Sequence, residues 1–245
     1  MIRKRTVIVN ATAAKQGGAL SILQQFLDIV AEVNDDTYTF IVFIDSNLKY
    51  SDTTHVHFVK HDTRSWSQRI WWDEKGLKRW CSINQVTPNA LISLQNTGVN
   101  WNIPQIIYYH QLLPLSQKNW NPFKKKEFKL FCYKCFYSYF VRNNLHADTN
   151  VIVQTPSIKD AFVRKFHVSE QNVKIVKPKT NIIYYSKISA ANLDKSFFHF
   201  IYPAASSIYK NHIELIKVVY NLLDVKPMLR NKLKIHFTLK PENNK

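Results

Sequence analysis

The feature that most constrains this chain is a series of short, uninterrupted apolar runs, each followed by polar or turn residues. They are Thr6–Asn10, Thr39–Ile44, Ala90–Leu94, Gln105–Tyr109, Val151–Gln154 and Val173–Val176. These runs lack the alternation of a strand with one solvated face, and are typical of strands that are covered on both faces. The pattern therefore predicts a parallel sheet.

Helical patterns lie between several of these runs. From Ala19 to Val33 apolar residues recur at steps of three and four, and residues 124–144 and 157–166 are further helix candidates. Strands that alternate with helices indicate an α/β fold. We predict a Rossmann-like N-terminal domain with a parallel sheet over residues 1–185.

A second cycle begins after a polar, linker-like stretch from Pro178 to Lys195. Residues 197–203 are predicted as a strand, residues 211–223 as a helix and residues 233–239 as another strand. A doubly wound domain needs several more strands to bury a sheet on both faces. We therefore expect residues 186–245 to be the incomplete start of a second Rossmann-like domain.

Charge narrows the class of partner. The chain has 34 Lys and Arg against 17 Asp and Glu, a formal net charge of +17. Such a surplus attracts anions, including nucleic acid, anionic lipid headgroups and nucleotide diphosphates. No apolar run approaches the roughly 18 residues of a membrane span, the basic N-terminus lacks a signal peptide's apolar region, and three cysteines give no disulfide framework. We expect a cytoplasmic protein.

Two of the four glycines, Gly17 and Gly18, are adjacent and lie between the first strand and the first helix. Glycines there let backbone N–H groups at a helix N-terminus approach an anion or a sugar closely. The alternative is a tight turn that needs a positive φ. The pair lacks the full spacing of a dinucleotide fingerprint and is not followed by a Walker lysine.

Polar residues also follow two other predicted strands. His110 closes the run 105–109, and Gln95 and Asn96 end the preceding strand. In a parallel sheet these positions meet at one edge, where ligands bind. A histidine there can hydrogen-bond a sugar hydroxyl or titrate near neutral pH, although a lone histidine is also typical of a structural cap.

Two patterns suggest metal ligands but are better explained otherwise. His55, His57 and His61 share one face if residues 54–61 form a strand, which a solvated edge strand explains. Cys132 and Cys135 have no second pair and lie in a helical, aromatic-rich stretch. We expect neither a metal nor a cofactor.

Basic and aromatic residues are interleaved between Lys124 and Arg142. The aromatic residues of this stretch include Phe128, Phe131, Phe136, Tyr137, Tyr139 and Phe140. Such a helix can lie on an anionic membrane surface. The alternative is a core-facing helix with a solvated basic side.

Four segments, in order along the chain, resemble family 4 glycosyltransferases, especially bacterial enzymes of surface-polysaccharide synthesis. They are Gln16–Leu20, Ser93–Asn96 with Pro104–Gln111, Val151–Pro156, and Tyr202–Ala204 with Tyr209–His212. The resemblance implies a GT-B fold, in which an N-terminal domain binds the acceptor and a C-terminal domain binds a nucleotide-sugar. It also implies transfer with retention, without a bound metal, to a glycan or lipid-linked acceptor.

The same resemblance implies roles for individual residues. Gly17 and Gly18 would lie near the donor phosphates, and His110 would lie beside the transferred sugar. Lys210, just before the helix at Asn211, would meet the leaving diphosphate, whose developing charge a fixed cation stabilises. Among the polar residues at the edge of the first sheet, we assign Gln95, Asn96 and Gln111 to the acceptor.

The chain departs from the family pattern in two ways. Family members usually have an arginine shortly before the lysine, where this chain has residues 204–207, Ala-Ala-Ser-Ser. The family's Glu-x7-Glu motif would lie beyond Lys245, so we expect a truncated polypeptide that is inactive alone. The alternative function is a non-catalytic basic protein that binds nucleic acid or an anionic membrane. We do not expect a nucleic-acid partner, because the sequence has no recognisable nucleic-acid-binding motif.

Overall fold

The structure, a computed structural model, describes residues 4–179 and 193–239. The chain divides into two compact units, Met1–Thr180 and Asn181–Lys245. The boundary predicted at residue 185 and most of the predicted linker lie outside the described residues.

The first unit is built on a seven-stranded sheet in which every pairing is parallel. Its strands are β1 (Arg5–Asn10), β2 (Tyr38–Ile44), β3 (Val56–Lys60), β4 (Ala90–Ser93), β5 (Gln105–Tyr109), β6 (Thr149–Val153) and β7 (Val173–Ile175). Their order across the sheet is β3-β2-β1-β4-β5-β6-β7. Each of the six apolar runs forms a strand, which confirms the predicted α/β class with a Rossmann-like parallel sheet.

Helices connect these strands. They are α1 (Gly17–Val33), α2 (Trp66–Trp71), α3 (Leu77–Ile83), α4 (Lys125–Asn143) and α5 (Pro156–Phe166). The α2 and α3 helices, which the sequence did not predict, are joined without a break by a π-helical turn, Trp72–Gly76. No helix among the described residues has the length and apolarity needed to cross a membrane.

Both faces of the sheet are buried, as the continuous apolar runs indicate. Val9 of β1 packs with Leu23 of α1 on one face, whereas its neighbour Ile8 packs with Trp72 and Leu77 on the other. A third cluster joins β5 and β6 to α4 and α5 around Phe162. Since consecutive strand residues point to opposite faces, only a sheet covered by helices on both sides buries such a run completely.

The second unit is a βαβ arrangement. It consists of β8 (Phe198–Tyr202), α6 (His212–Val225) and β9 (Leu233–Phe237), and the two strands pair in parallel. All three elements were predicted from the sequence. No residue between 193 and 239 is buried, and Ile201 and Ile213 are 68% and 67% exposed. The described part of this unit therefore has apolar side chains but no closed core.

The strand order of the first sheet reverses between β1 and β4. The connection from β1 leads to β2 on one side, whereas β4 lies on the other. In open α/β sheets a crevice forms at such a point, outside the carboxyl ends of the strands, and ligands bind there. The candidate site is therefore the set of side chains at the carboxyl ends of these strands.

Candidate functional site

The first helix begins at this edge with its first turn open. Gly17 has a φ of +61°, in the left-handed region that glycine adopts without strain. A Cβ added at Gly17 or Gly18 would meet nothing within 4 Å. The side chain of Gln16, which precedes the helix, makes no capping hydrogen bond. Because the first N–H groups of a helix have no partner within it, they are available here to an anion.

An ion pair fixes the loop that leads into this helix. Lys15 Nζ lies 2.6 Å from Asp45 Oδ2, and it also donates to the carbonyl oxygen of Thr63 at 3.4 Å. Asp45 is buried immediately after β2, and the hydrogen bond from Lys15 lowers the pKa of its carboxyl group. The loop after β1 is thus linked to the residues that follow β2 and β3, a contact that the sequence did not indicate.

His110 follows β5 at the same edge and is half-buried. Its backbone N–H donates to Asn96 Oδ1 at 2.6 Å, and its Nε2 lies 3.5 Å from Asn96 Nδ2. Its Nδ1 is buried and has no hydrogen-bond partner among the described residues. Burial lowers the pKa of the imidazole, so the neutral ring is favoured at pH 7.

The three residues assigned to the acceptor differ in exposure. Gln95 and Asn96 are 2% and 7% exposed, and both amide groups are already hydrogen-bonded within the protein. Gln111 is only partly buried, and its Nε2 donates to the hydroxyl of Tyr133 at 3.2 Å. Of the three, only Gln111 has a side chain that a ligand can reach without rearrangement of buried groups.

A buried carboxyl group, Asp73, joins the ends of β1 and β4. Its Oδ1 accepts hydrogen bonds from Asn10 Nδ2 at 2.9 Å and Gln95 Nε2 at 2.8 Å, and its Oδ2 accepts from Thr97 Oγ1 at 2.9 Å. Burial raises its pKa to about 7, against the opposite effect of the hydrogen bonds from Thr97 and Asn10. Sequence reasoning missed Asp73, because a lone aspartate in a Trp-rich stretch gives no signal of burial.

The two donor-binding candidates of the second unit precede α6. Lys210 is exposed and ends a short 3-10 turn, and its Nζ lies 5.4 Å from the centroid of the Tyr209 ring. Asn211 has a φ of +57° and makes no side-chain capping bond. The side chain of Asn211 therefore does not cap the first N–H groups of α6.

Three histidines in and next to β3, His55, His57 and His61, each contact a different residue. His55 Nε2 lies 2.9 Å from Asp36 Oδ1 and His57 Nδ1 lies 3.2 Å from Asp52 Oδ2, whereas the His61 ring stacks on Trp72 at 3.6 Å. Within residues 4–179 and 193–239, no group of three or more His, Cys, Asp or Glu side chains has the arrangement of a metal site. Cys132 and Cys135 lie on α4 as free thiols.

The α4 helix buries one side and exposes aromatic rings on another. Tyr137 and Val141 are buried, whereas Phe128, Phe136 and Tyr139 are between 52% and 64% exposed. Just before the helix, Phe123 is 95% exposed beside the basic run 124–126. The surface therefore combines accessible aromatic rings with positive charge.

Comparison with known proteins gives a distant similarity of structure only. The sequence matches no protein-family model and no curated protein. The structure is similar to the apo form of the lipopolysaccharide outer core galactosyltransferase WaaB, at 9% identity and a TM-score of 0.48, over 95% of this chain and 68% of that one. It is also similar to a short-chain dehydrogenase family protein from Francisella tularensis, at 12% identity and a TM-score of 0.37, over 71% of this chain and 86% of that one. Similarity this low does not assign a function.

Proposed function

We propose that this protein is a glycosyltransferase, or part of one, that transfers a sugar with retention from a nucleotide-sugar to a glycan or lipid-linked acceptor in surface-polysaccharide synthesis. One observation supports this most directly. The open first turn at Gly17 and Gly18 and the half-buried imidazole of His110 lie at the same edge of the sheet, which is the edge where its strand order reverses.

These two features suit the two parts of a nucleotide-sugar. The N–H groups and the positive end of the α1 dipole favour a phosphate, which can approach because no Cβ is in the way. His110 has a neutral imidazole whose Nδ1 is buried and lacks a partner in the described chain, so this atom can donate to or accept from a sugar hydroxyl once the ring turns outward. His110 would therefore contact the sugar while Gly17 and Gly18 hold the phosphates.

The remaining site residues have less direct roles in this proposal. Gln111 contacts the acceptor, whereas the buried Gln95 and Asn96 shape the acceptor side of the site through the groups that they hold. By the resemblance of their segment to the family motif, Lys210 and Asn211 bind the leaving diphosphate. No step of this scheme uses a metal or a cofactor.

The second unit bears on whether residues 1–245 can transfer sugar by themselves. We propose that residues 186–245 are the opening part of a donor domain, because their described side chains form no closed core. We further propose that residues 1–245 by themselves do not transfer sugar, and that the protein acts in the cytoplasm, where nucleotide-sugars are available. Sugar transfer by the purified chain would contradict the second of these statements.

The donor-binding proposal is tested by adding UDP or GDP to the 15N-labelled protein and following the backbone amides of Gly17 and Gly18 by NMR. In Gly18→Ala a methyl group would occupy the open space in front of the helix, with no clash inside the protein. We expect the apparent affinity for the better nucleotide to fall at least about tenfold. Gln24→Ala, an exposed substitution on the same helix, is the matched control. Equal affinities for the Gly18→Ala variant and the wild-type protein would overturn the assignment.

A second proposal concerns the surface around α4, which we assign to peripheral contact with an anionic membrane. Its support is the nearly complete exposure of Phe123 beside Lys124, Lys125 and Lys126, since aromatic rings enter the headgroup region while basic residues attract anionic lipid. We expect co-sedimentation with phosphatidylcholine vesicles only when they contain phosphatidylglycerol. Phe123→Ser should weaken it, and Tyr220→Ser, an exposed aromatic substitution in the second unit, should not. Binding that does not depend on Phe123 would refute this assignment.

A further inference from the structure

We infer that Asp73 is a positioning residue for His110, because its carboxyl group holds both chain neighbours of Asn96, and Asn96 in turn holds His110. The inference rests on the proposed function only for what His110 does to a substrate. The geometry itself is a property of the folded first unit.

The two oxygens of Asp73 bind on either side of Asn96. Oδ1 accepts from the side chain of Gln95 at 2.8 Å and Oδ2 accepts from the side chain of Thr97 at 2.9 Å. The carbonyl group of Gln95 is also held, because the hydroxyl of Tyr137 donates to it at 3.0 Å. The chain on both sides of Asn96 is therefore fixed by buried groups that belong to other elements.

The buried hydrogen bonds on both sides of Asn96 hold its backbone in one conformation. Its φ is +69°, in the left-handed region, which asparagine adopts more readily than most residues with a side chain. Residues persist in such conformations when the surrounding structure holds them there, and they are frequent at functional sites. With the backbone in this conformation, Asn96 Oδ1 accepts the N–H of His110 at 2.6 Å.

That hydrogen bond fixes the position of the His110 backbone, from which the imidazole side chain extends. His110 follows β5 directly, beyond the last register pair of that strand, Tyr109 with Val153. The side chain of Asn96 therefore accepts the His110 backbone N–H, as the carbonyl group of a neighbouring strand would for a residue inside the sheet. Movement of Asn96 should move the backbone of His110, and with it the imidazole.

The test is a comparison of His110 NMR signals among folded variants, after assignment of the imidazole signals with His110→Ala. Asp73→Leu removes both acceptor oxygens at similar volume. Asp73→Asn keeps the arrangement, because its oxygen accepts from Gln95 while its NH2 group donates to the hydroxyl of Thr97. We expect the backbone amide and imidazole signals of His110 to shift in Asp73→Leu and to remain near the wild-type positions in Asp73→Asn. Asp28→Asn, an exposed substitution on α1, should leave them unchanged.

A second pair of variants decides the question if Asp73→Leu does not fold. Thr97→Val removes one of the two hydrogen bonds at nearly constant shape, and Thr97→Ser retains it. The inference predicts that the His110 signals shift in Thr97→Val and not in Thr97→Ser. Unchanged His110 signals in a folded Asp73→Leu or Thr97→Val variant would overturn the inference.

These measurements separate the inference from the proposed function. If the His110 signals shift in a folded variant, that variant should bind a nucleotide-sugar more weakly than the wild-type protein, because the displaced imidazole no longer meets the sugar. If the signals shift and the affinity for the nucleotide-sugar does not change, the positioning role stands and the proposed role of His110 is wrong. If the signals do not shift, the positioning role is wrong whatever the affinity.

Discussion

Asp73 should make the first unit less stable as the pH rises, which is opposite to the effect of most carboxyl groups. Burial is the largest influence on this group and raises its pKa to about 7, while hydrogen bonds from Thr97 and Asn10 oppose the rise. Among nearby charges, Arg69 lowers the pKa and Glu74 raises it. An aspartate in an unfolded chain titrates near pH 4.

The sign and size of the effect follow from these two pKa values. Between about pH 4 and pH 7 the folded protein keeps a proton on Asp73 that the unfolded chain has already lost. The stabilising contribution is therefore complete below about pH 4, falls as the pH rises, and is lost above the folded pKa of about 7. At about 1.4 kcal/mol per pH unit, the free energy of unfolding should lose about 4 kcal/mol over this window.

Urea unfolding monitored by tryptophan fluorescence at several pH values measures this contribution. All six tryptophans lie between residues 66 and 120, so the signal reports on the first unit alone. Asp73→Asn is neutral at every pH, and subtracting its free energy of unfolding from that of the wild type cancels the other titrating groups. Asp45 does not disturb the window, because its pKa is lowered.

The difference between wild type and Asp73→Asn should be constant below about pH 4, fall with a slope of about 1.4 kcal/mol per pH unit between about pH 4 and pH 7, and then become constant again. A difference that does not depend on pH, or one that rises with pH below 7, would refute the reasoning. Such a result would mean that the three hydrogen-bond donors around the carboxyl group outweigh the cost of its burial, so that Asp73 is charged in the folded protein.

Two further predictions concern packing and use the same unfolding assay. In Gly98→Ala the new Cβ would lie 2.6 Å from the backbone oxygen of Asn144, and we expect a loss of about 1–3 kcal/mol. Gly18→Ala, whose Cβ meets nothing within 4 Å, should be neutral or stabilising by up to about 1 kcal/mol, and equal losses in the two variants would contradict this reasoning. Phe162→Ala removes a ring that is 0% exposed and should cost about 3–5 kcal/mol. Phe123→Ala, at a ring that is 95% exposed, should change stability by less than about 0.5 kcal/mol, and a similar loss in both would show that the Phe162 cluster is not a packed core.

The sheet was predictable because a strand that is buried on both faces needs an uninterrupted apolar run, which is visible in the sequence. Ile8 and Val9 are adjacent and face opposite sides, yet both are 0% exposed, so the run has to be apolar throughout. The helices α2 and α3 have no comparably clear pattern of apolar residues in the sequence. A π-helical turn between Trp71 and Leu77 shifts the helical period, so that apolar positions before and after it do not fall on one continuous stripe.

The positions of the candidate site residues were predictable to the extent that they depend on strand ends. Gly17, Gly18 and His110 lie at the carboxyl edge of the sheet because each directly follows a strand or its loop. The burial of Gln95 was not predictable, because its amide is held by Asp73, which lies 22 positions away in the chain. Aspartate is rarely buried without a partner, and no partner is evident near Asp73 in the sequence, so the sequence alone predicts a surface residue there.

The acidic residues near this edge explain why an anion is a better candidate ligand than a cation. Asp45 is paired with Lys15 at 2.6 Å, and Asp62 lies 3.9 Å from Arg64 and accepts hydrogen bonds from Ser46. Asp73 is buried beneath donors, with a pKa near 7. These three carboxyl groups are paired or buried, so they present little unbalanced negative charge to the open turn at residues 17 and 18. The positive end of α1 and the net charge of +17 therefore act in the same direction there, which favours a phosphate.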